Sequence, residues 1–219
     1  MTARAPVLLT GFDPFAGEAE NPSLLIARAL DGELIAGRRV VGAALPTEFA
    51  RALVELDVLI DTHRPALVIA IGQAGGRAEI SLERVAINLI DARIGDNAGE
   101  QPVDVPVIDG APNAYFSTLP LKAMLERLHE AQIPAALSHS AGTFVCNQVF
   151  FGIAHRLVTQ RRRLRGGFIH VPYLPEQASR HPGTPSLPLR TMIDAVRLCI
   201  ETALLTTRGD LHYAAGTTH

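Results

Sequence analysis

Ala66-Leu67-Val68-Ile69-Ala70-Ile71 runs apolar without alternation and stops at Gly72-Gln73-Ala74-Gly75-Gly76-Arg77. An unbroken run of this kind reads as a strand covered on both faces, the situation at the centre of a parallel sheet flanked by helices. Upstream, Pro65 closes a unit made of a strand over 39–45 and a helix with Phe49, Leu53, Leu56 and Ile60 on one face. Before that, Val7-Leu8-Leu9-Thr10 is a short buried strand ending at Gly11. A loop carrying Phe12, Pro14 and Phe15 follows, and Asn21-Pro22-Ser23 caps a helix running to Leu30.

Downstream the alternation continues. Val85 to Ile90 reads as a strand, and the long Gly- and Asp-rich stretch over 92–115 as a covering flap with a short hairpin strand from Val103 to Ile108. Leu121, Met124, Leu125 and Leu128 mark a helix, 135–138 a strand, and Cys146, Val149, Phe150, Ile153 and Leu157 a second helix. A strand over 166–171, a proline-rich irregular segment over 172–188 and a helix with Leu189, Met192, Ile193, Val196 and Cys199 complete the pattern. Strands alternating with helices predict one α/β domain over 1–219, a mostly parallel twisted sheet with helices on both faces. Residues 206–219, which include His212 and His219, have no apolar period and read as a loose tail.

Composition excludes several classes of function. The chain has 219 residues, 47% of them hydrophobic and 19% charged, enough for a sizeable core. A net charge of -2 leaves no electrostatic footprint for nucleic acid or an anionic membrane. The basic cluster Arg161-Arg162-Arg163 with Arg165 reads as the solvated end of the helix begun near Cys146. No apolar run approaches the length of a membrane span and no secretory signal is visible. The two cysteines, Cys146 and Cys199, are too few for a disulfide framework and fit reduced thiols in the cytoplasm.

Ser140-Ala141-Gly142-Thr143-Phe144-Val145-Cys146-Asn147 places Cys146 in the first turn of its helix. There unpaired N–H groups and the dipole favour an anion, so the position predicts a lowered thiol pKa and a nucleophilic thiolate. The other reading of the same residue is a small buried hydrophobe on an apolar stripe. Gly-x-Cys-x-Gly is absent, which disfavours an amidotransferase-type cysteine. His170, on the short apolar strand Phe168-Ile169-His170-Val171, is the candidate base if it meets Cys146 at the sheet rim, and a core histidine if it does not. His139 is not excluded by spacing. His63, His129 and His155 read as surface residues, and His181 lies in the irregular segment. Cys199 reads as core.

Five stretches taken together resemble the pyroglutamyl peptidase I family of cysteine peptidases, also called pyrrolidone-carboxylate peptidases. They are Thr10-Gly11-Phe12-Asp13-Pro14-Phe15, Ile71-Gly72-Gln73-Ala74-Gly75-Gly76-Arg77, Glu83-Arg84-Val85-Ala86-Ile87-Asn88, Ser140 to Asn147, and Phe168-Ile169-His170-Val171-Pro172-Tyr173-Leu174-Pro175. The likeness runs from Val7 to about Leu204. It implies removal of an N-terminal pyroglutamyl residue from peptides, with Cys146 as nucleophile, His170 as base and Glu83 as the acidic third member. It implies a lactam pocket at Phe12, Phe15, Gln73, Phe144 and Val145, with Asn21 holding the first loop and Arg93 beside the site. It implies no metal or cofactor, and a homotetramer. Where the family often carries Gly-Gly, this chain has Ala16-Gly17. The rival readings are a phosphorylase or nucleosidase using the glycine turn for phosphate, and a non-catalytic small-molecule-binding domain.

Overall fold

The computed structural model describes residues 4–160 and 164–216. Arg161, Arg162, Arg163 and His219 lie outside the described residues. The elements in chain order are β1 (Val7–Phe12), α1 (Pro22–Leu30), β2 (Leu34–Ile35), β3 (Arg38–Leu45), α2 (Phe49–His63), β4 (Leu67–Gln73), β5 (Ile80–Glu83), β6 (Val85–Ile87) and β7 (Ala114–Phe116). They continue with α3 (Leu121–Glu130), β8 (Ala135–Ser138), α4 (Val145–Thr159), β9 (Arg165–Val171), α5 (Pro175–Ala178) and α6 (Leu189–Leu205).

Seven strands form one sheet in the order β2-β3-β1-β4-β9-β5-β8. The central strands β3, β1, β4 and β9 are parallel, and β4 is buried at every residue, as its uninterrupted apolar run requires. Helices cover both faces. On one side Leu9, Ile69, Ile71 and Ile169 pack against α1, α3 and α6, with Cys199 fully buried among them. On the other, Leu8, Val68, Ala70 and Phe168 pack against α2 and α4. Phe150, Phe151 and Phe168 are fully buried there, each contributing about 2–3 kcal/mol of transfer free energy.

Three expectations are corrected. The strand read at Val85 to Ile90 is the shorter β6, which lies outside the main sheet, and the strand in the main sheet is β5, which precedes it. β5 pairs antiparallel with β9 and parallel with β8, so β5 and β8 run against the central four. Its four residues are buried on both faces, leaving no alternation to read. β6 forms a separate two-stranded sheet with β7, whereas 103–108 contributes only a bridge between Ile90 and Val105. Arg165 is the first residue of β9 rather than part of a helix end. Its guanidinium donates to the Ala203 and Thr206 carbonyls at the end of α6. In the C-terminal segment, Asp210 accepts hydrogen bonds from the Lys122 and Ala123 amides, capping α3 where Pro120 offers no side-chain cap.

Candidate active site

Gly72, one residue short of the end of β4, is where the site's elements meet. Its register partner on β9 is His170. A Cβ at position 72 would lie 2.7 Å from the Cys146 Sγ and 2.9 Å from the Phe168 ring. The missing side chain is therefore what lets the sulfur rest over the sheet, above the strand next to His170.

Glu83 reaches the imidazole from the other side of β9. Ser81 stands opposite His170 and Glu83 opposite Phe168, so Glu83 and His170 are diagonal neighbours on one face of an antiparallel pair. Glu83 Oε1 lies 2.7 Å from His170 Nδ1. An ionised carboxylate only accepts, so Nδ1 carries the proton and Nε2 is left as the basic nitrogen.

Arg77 had no role in the sequence reading. From the turn after β4 it donates to Glu83 Oε1 at 2.7 Å, to Ser138 Oγ at 3.3 Å and to the Ser140 carbonyl at 2.9 Å. It thus ties the glycine turn to the segment that leads into α4. Glu83 is fully buried, and among the described residues its Oε2 has no hydrogen-bond partner. Burial works against the carboxylate, but the hydrogen bond and charge of His170, with help from Ser138 and Arg77, hold its pKa below the ordinary value. Burial pushes the His170 imidazole down, Glu83 opposing and Arg77 assisting.

Cys146 is the second residue of α4, and the sequence expectation of a lowered thiol pKa is not met. Burial first, then the Glu83 charge, push the thiol up to about 12, while Arg77 and the cysteine's own backbone N–H oppose this. A helix terminus offers an anion only a fraction of a charge, and desolvation outweighs it here.

Cys146 and His170 open on one cavity of about 300 Å³, which is also lined by Phe15, Gln73, Arg93 and Phe144. Asp91, Ile94, Ala141 and Thr143, none of them singled out beforehand, complete its wall. Asp91 stands immediately before the long flap, which supplies Arg93 and Ile94. The flap is pinned at its far side by Asp96, which accepts the Phe49 amide at the start of α2. Thr143 Oγ1 donates to the Asp91 carbonyl at 2.7 Å, tying the start of the flap to the segment that leads into α4. Phe144 packs edge-on to Phe49 and beside Phe15.

Phe12, Val145 and Asn21 stand behind this lining rather than in it. Phe12 packs against Phe168 with centroids 6.3 Å apart, and Val145 is fully buried at the start of α4. Asn21 accepts the Ser23 amide as the α1 cap and donates to the Asp13 carbonyl, which holds the first loop. His139 is exposed, and His155 is half-buried against Tyr115 and Phe151 with its Nδ1 2.9 Å from the tyrosine hydroxyl. His181 stacks on Tyr173 and bonds Glu18. Among the described residues no group of three or more His, Cys, Asp or Glu is placed to hold a metal, and no helix is long and apolar enough to cross a membrane.

The pyrrolidone-carboxylate peptidase of Cupriavidus taiwanensis is 55% identical over 214 residues, 97% of this chain and 99% of the relative. That of Bacillus cytotoxicus is 51% identical over 213 residues, again 97% of this chain and 99% of the relative. The crystal structure of pyroglutamyl peptidase I from Bacillus amyloliquefaciens superposes with a TM-score of 0.93 at 43% identity, covering 96% of this chain and 99% of that one. The pyrrolidone carboxyl peptidase of Thermococcus litoralis gives 0.91 at 39% identity, covering 96% of this chain and 99% of that one. The family model described as pyroglutamyl peptidase matches residues 5–206, and the chain belongs to that family.

Proposed function

We propose that this chain is a cysteine exopeptidase that removes an N-terminal pyroglutamyl residue from peptides. The observation that carries the reading is the convergence of Cys146 and His170 on one cavity, with Glu83 bonded to the far side of the imidazole. Pyroglutamate has a neutral lactam in place of a free amine, so its pocket needs apolar walls and amide hydrogen bonds rather than a carboxylate. Phe15 and Phe144 supply the first and Gln73 the second, in a volume suited to a small ring.

His170 Nε2 takes the Cys146 proton as Sγ attacks the pyroglutamyl carbonyl, so the thiolate need never exist free. The same proton then passes to the leaving amine, giving a thioester that water cleaves to pyroglutamate and free thiol. Glu83 keeps the imidazole in the working tautomer and stabilises its cation. The Cys146 backbone N–H, at an open helix end, receives the carbonyl oxygen as it becomes negative, and such a donor contributes about 3 kcal/mol. Two free thiols, one of them the nucleophile, support a cytoplasmic setting.

Phosphate bound on the glycine turn would need a free cation there, and the turn's Arg77 is spent on Glu83. The test compares chromogenic L-pyroglutamyl and L-prolyl amides. Cleavage of the first alone, without added phosphate, is expected; failure to cleave it overturns the reading.

A further inference from the structure

The wall of the cavity beside His170 carries Gln73, whose carboxamide has two chemically opposite ends. Which end faces a ligand is decided outside the cavity. The Leu174 backbone N–H donates to Gln177 Oε1 at 3.0 Å. A backbone N–H cannot accept, so the Gln177 oxygen must lie on that side. Its Nε2 then faces three acceptors: Gln73 Oε1 at 2.9 Å, the Glu20 carbonyl at 3.2 Å and Glu18 Oε2 at 3.3 Å. A carbonyl and a carboxylate cannot donate, so groups unable to reverse set the polarity of Gln177 from both ends. Glu18 is itself held by Arg180 at 2.5 Å and His181 at 2.7 Å. Gln73 must therefore give its oxygen to Gln177. Its NH₂ is left on the other side, and among the described residues it has no protein partner.

We propose that Gln177 is a positioning residue that fixes Gln73 with its NH₂ toward the cavity, so that this wall selects a ligand carrying a carbonyl oxygen there. The inference rests on the pyroglutamyl reading, in which that oxygen belongs to the lactam. A prolyl ring has a methylene at the same place and leaves the Gln73 donor unpaired, which a buried site penalises. Gln177 is 2% exposed and does not line the cavity, so its influence runs through Gln73.

The experiment measures steady-state hydrolysis of a pyroglutamyl amide by wild type, Gln177→Glu and Gln177→Met, alone and combined with Gln73→Met. It also measures inhibition by 2-pyrrolidinone and by its thione, whose sulfur accepts hydrogen bonds poorly. Assayed at a pH where it is ionised, the Gln177→Glu carboxylate cannot donate, so Gln73 turns its NH₂ toward it and presents oxygen to the cavity. KM is expected to rise about 10-fold with kcat within about 2-fold, and wild-type preference for pyrrolidinone over the thione to vanish. In the Gln73→Met background the same change should have no further effect on KM. Gln177→Met, which keeps the side-chain volume, serves if the charged variant does not fold. An unchanged KM, a loss confined to kcat, or an equal loss in the Gln73→Met background overturns the inference. Absence of wild-type cleavage overturns the pyroglutamyl reading instead.

Discussion

Glu83 Oε1 and His170 Nδ1 stand 2.7 Å apart because β5 runs antiparallel to β9 and makes the two residues diagonal neighbours on one face. Glu83→Gln removes the charge that stabilises the imidazolium and lets the amide present its NH₂ to Nδ1, favouring the wrong tautomer. A fall in kcat of about 10²–10⁴-fold with little change in KM is expected. Steady-state kinetics checks it, and an unchanged kcat removes Glu83 from the mechanism.

Arg77 is the only cation hydrogen-bonded to Glu83 among the described residues. Arg77→Met leaves a buried carboxylate without its arginine. Because the Arg77 side chain is 31% exposed and water can partly replace it, the loss of stability should be about 2 kcal/mol. Chemical denaturation measures this, and Arg77→Lys should recover part of it. Equal stability of all three proteins would contradict the assignment.

Gly72→Ala should act on activity and stability together. The added methyl meets the Cys146 sulfur and the Phe168 ring, and overpacking of this kind costs about 1–3 kcal/mol. Moving the sulfur off its line to the carbonyl should also lower kcat. A variant with wild-type turnover would show that Cys146 does not need its place over the sheet.

Ala16 holds φ 53°, in the left-handed region. An L-residue pays about 1–2 kcal/mol there, partly offset by the larger unfolded-state entropy of glycine. Ala16→Gly should therefore stabilise the protein by about 0.5–1 kcal/mol, read from denaturation midpoints. Destabilisation would show that the methyl makes a contact worth more than the strain.

Acid should destabilise this protein in two stages. His170 has its pKa lowered by burial, so below the ordinary histidine value of 6.5 the unfolded chain binds a proton that the folded one refuses. Stability is lost as pH falls from there toward the folded value. Glu83 is also lowered, so its contribution is present above the ordinary 4.5 and is lost as pH falls through its folded value. Denaturation across pH should show the loss beginning near the histidine value in wild type. In His170→Gln the loss should begin only near the carboxylate value, and the same onset in both proteins would contradict the assignment.

The legible parts of this chain were those whose cause is local. Asn21-Pro22-Ser23 announces a helix start because cap and proline act on adjacent backbone, and the apolar run before Gly72 announces a central strand because burial on both faces leaves its mark residue by residue. Cys146 and His170 stood out by type and position, and the cavity brings them together. β5 was illegible because four residues covered on both faces have no period, and its direction depends on partners far along the chain. Arg77 and Gln177 went unnoticed for a related reason. Their chemistry is set by Ser138, Ser140, Glu18 and Gln73, distant in sequence. The thiol pKa was misjudged because helix geometry can be read locally and desolvation cannot.

The proposed centre of the chemistry is a bond between the Cys146 sulfur and the pyroglutamyl carbonyl. Acid quenching during turnover of a pyroglutamyl amide, followed by peptide mapping with mass spectrometry, looks for that thioester directly. One pyroglutamyl group on the peptide holding Cys146, absent from Cys146→Ser and from His170→Ala, in which the thiol has lost the base that takes its proton, is the expected result. Turnover that persists in Cys146→Ser, or an acyl group found on any other residue, would contradict it.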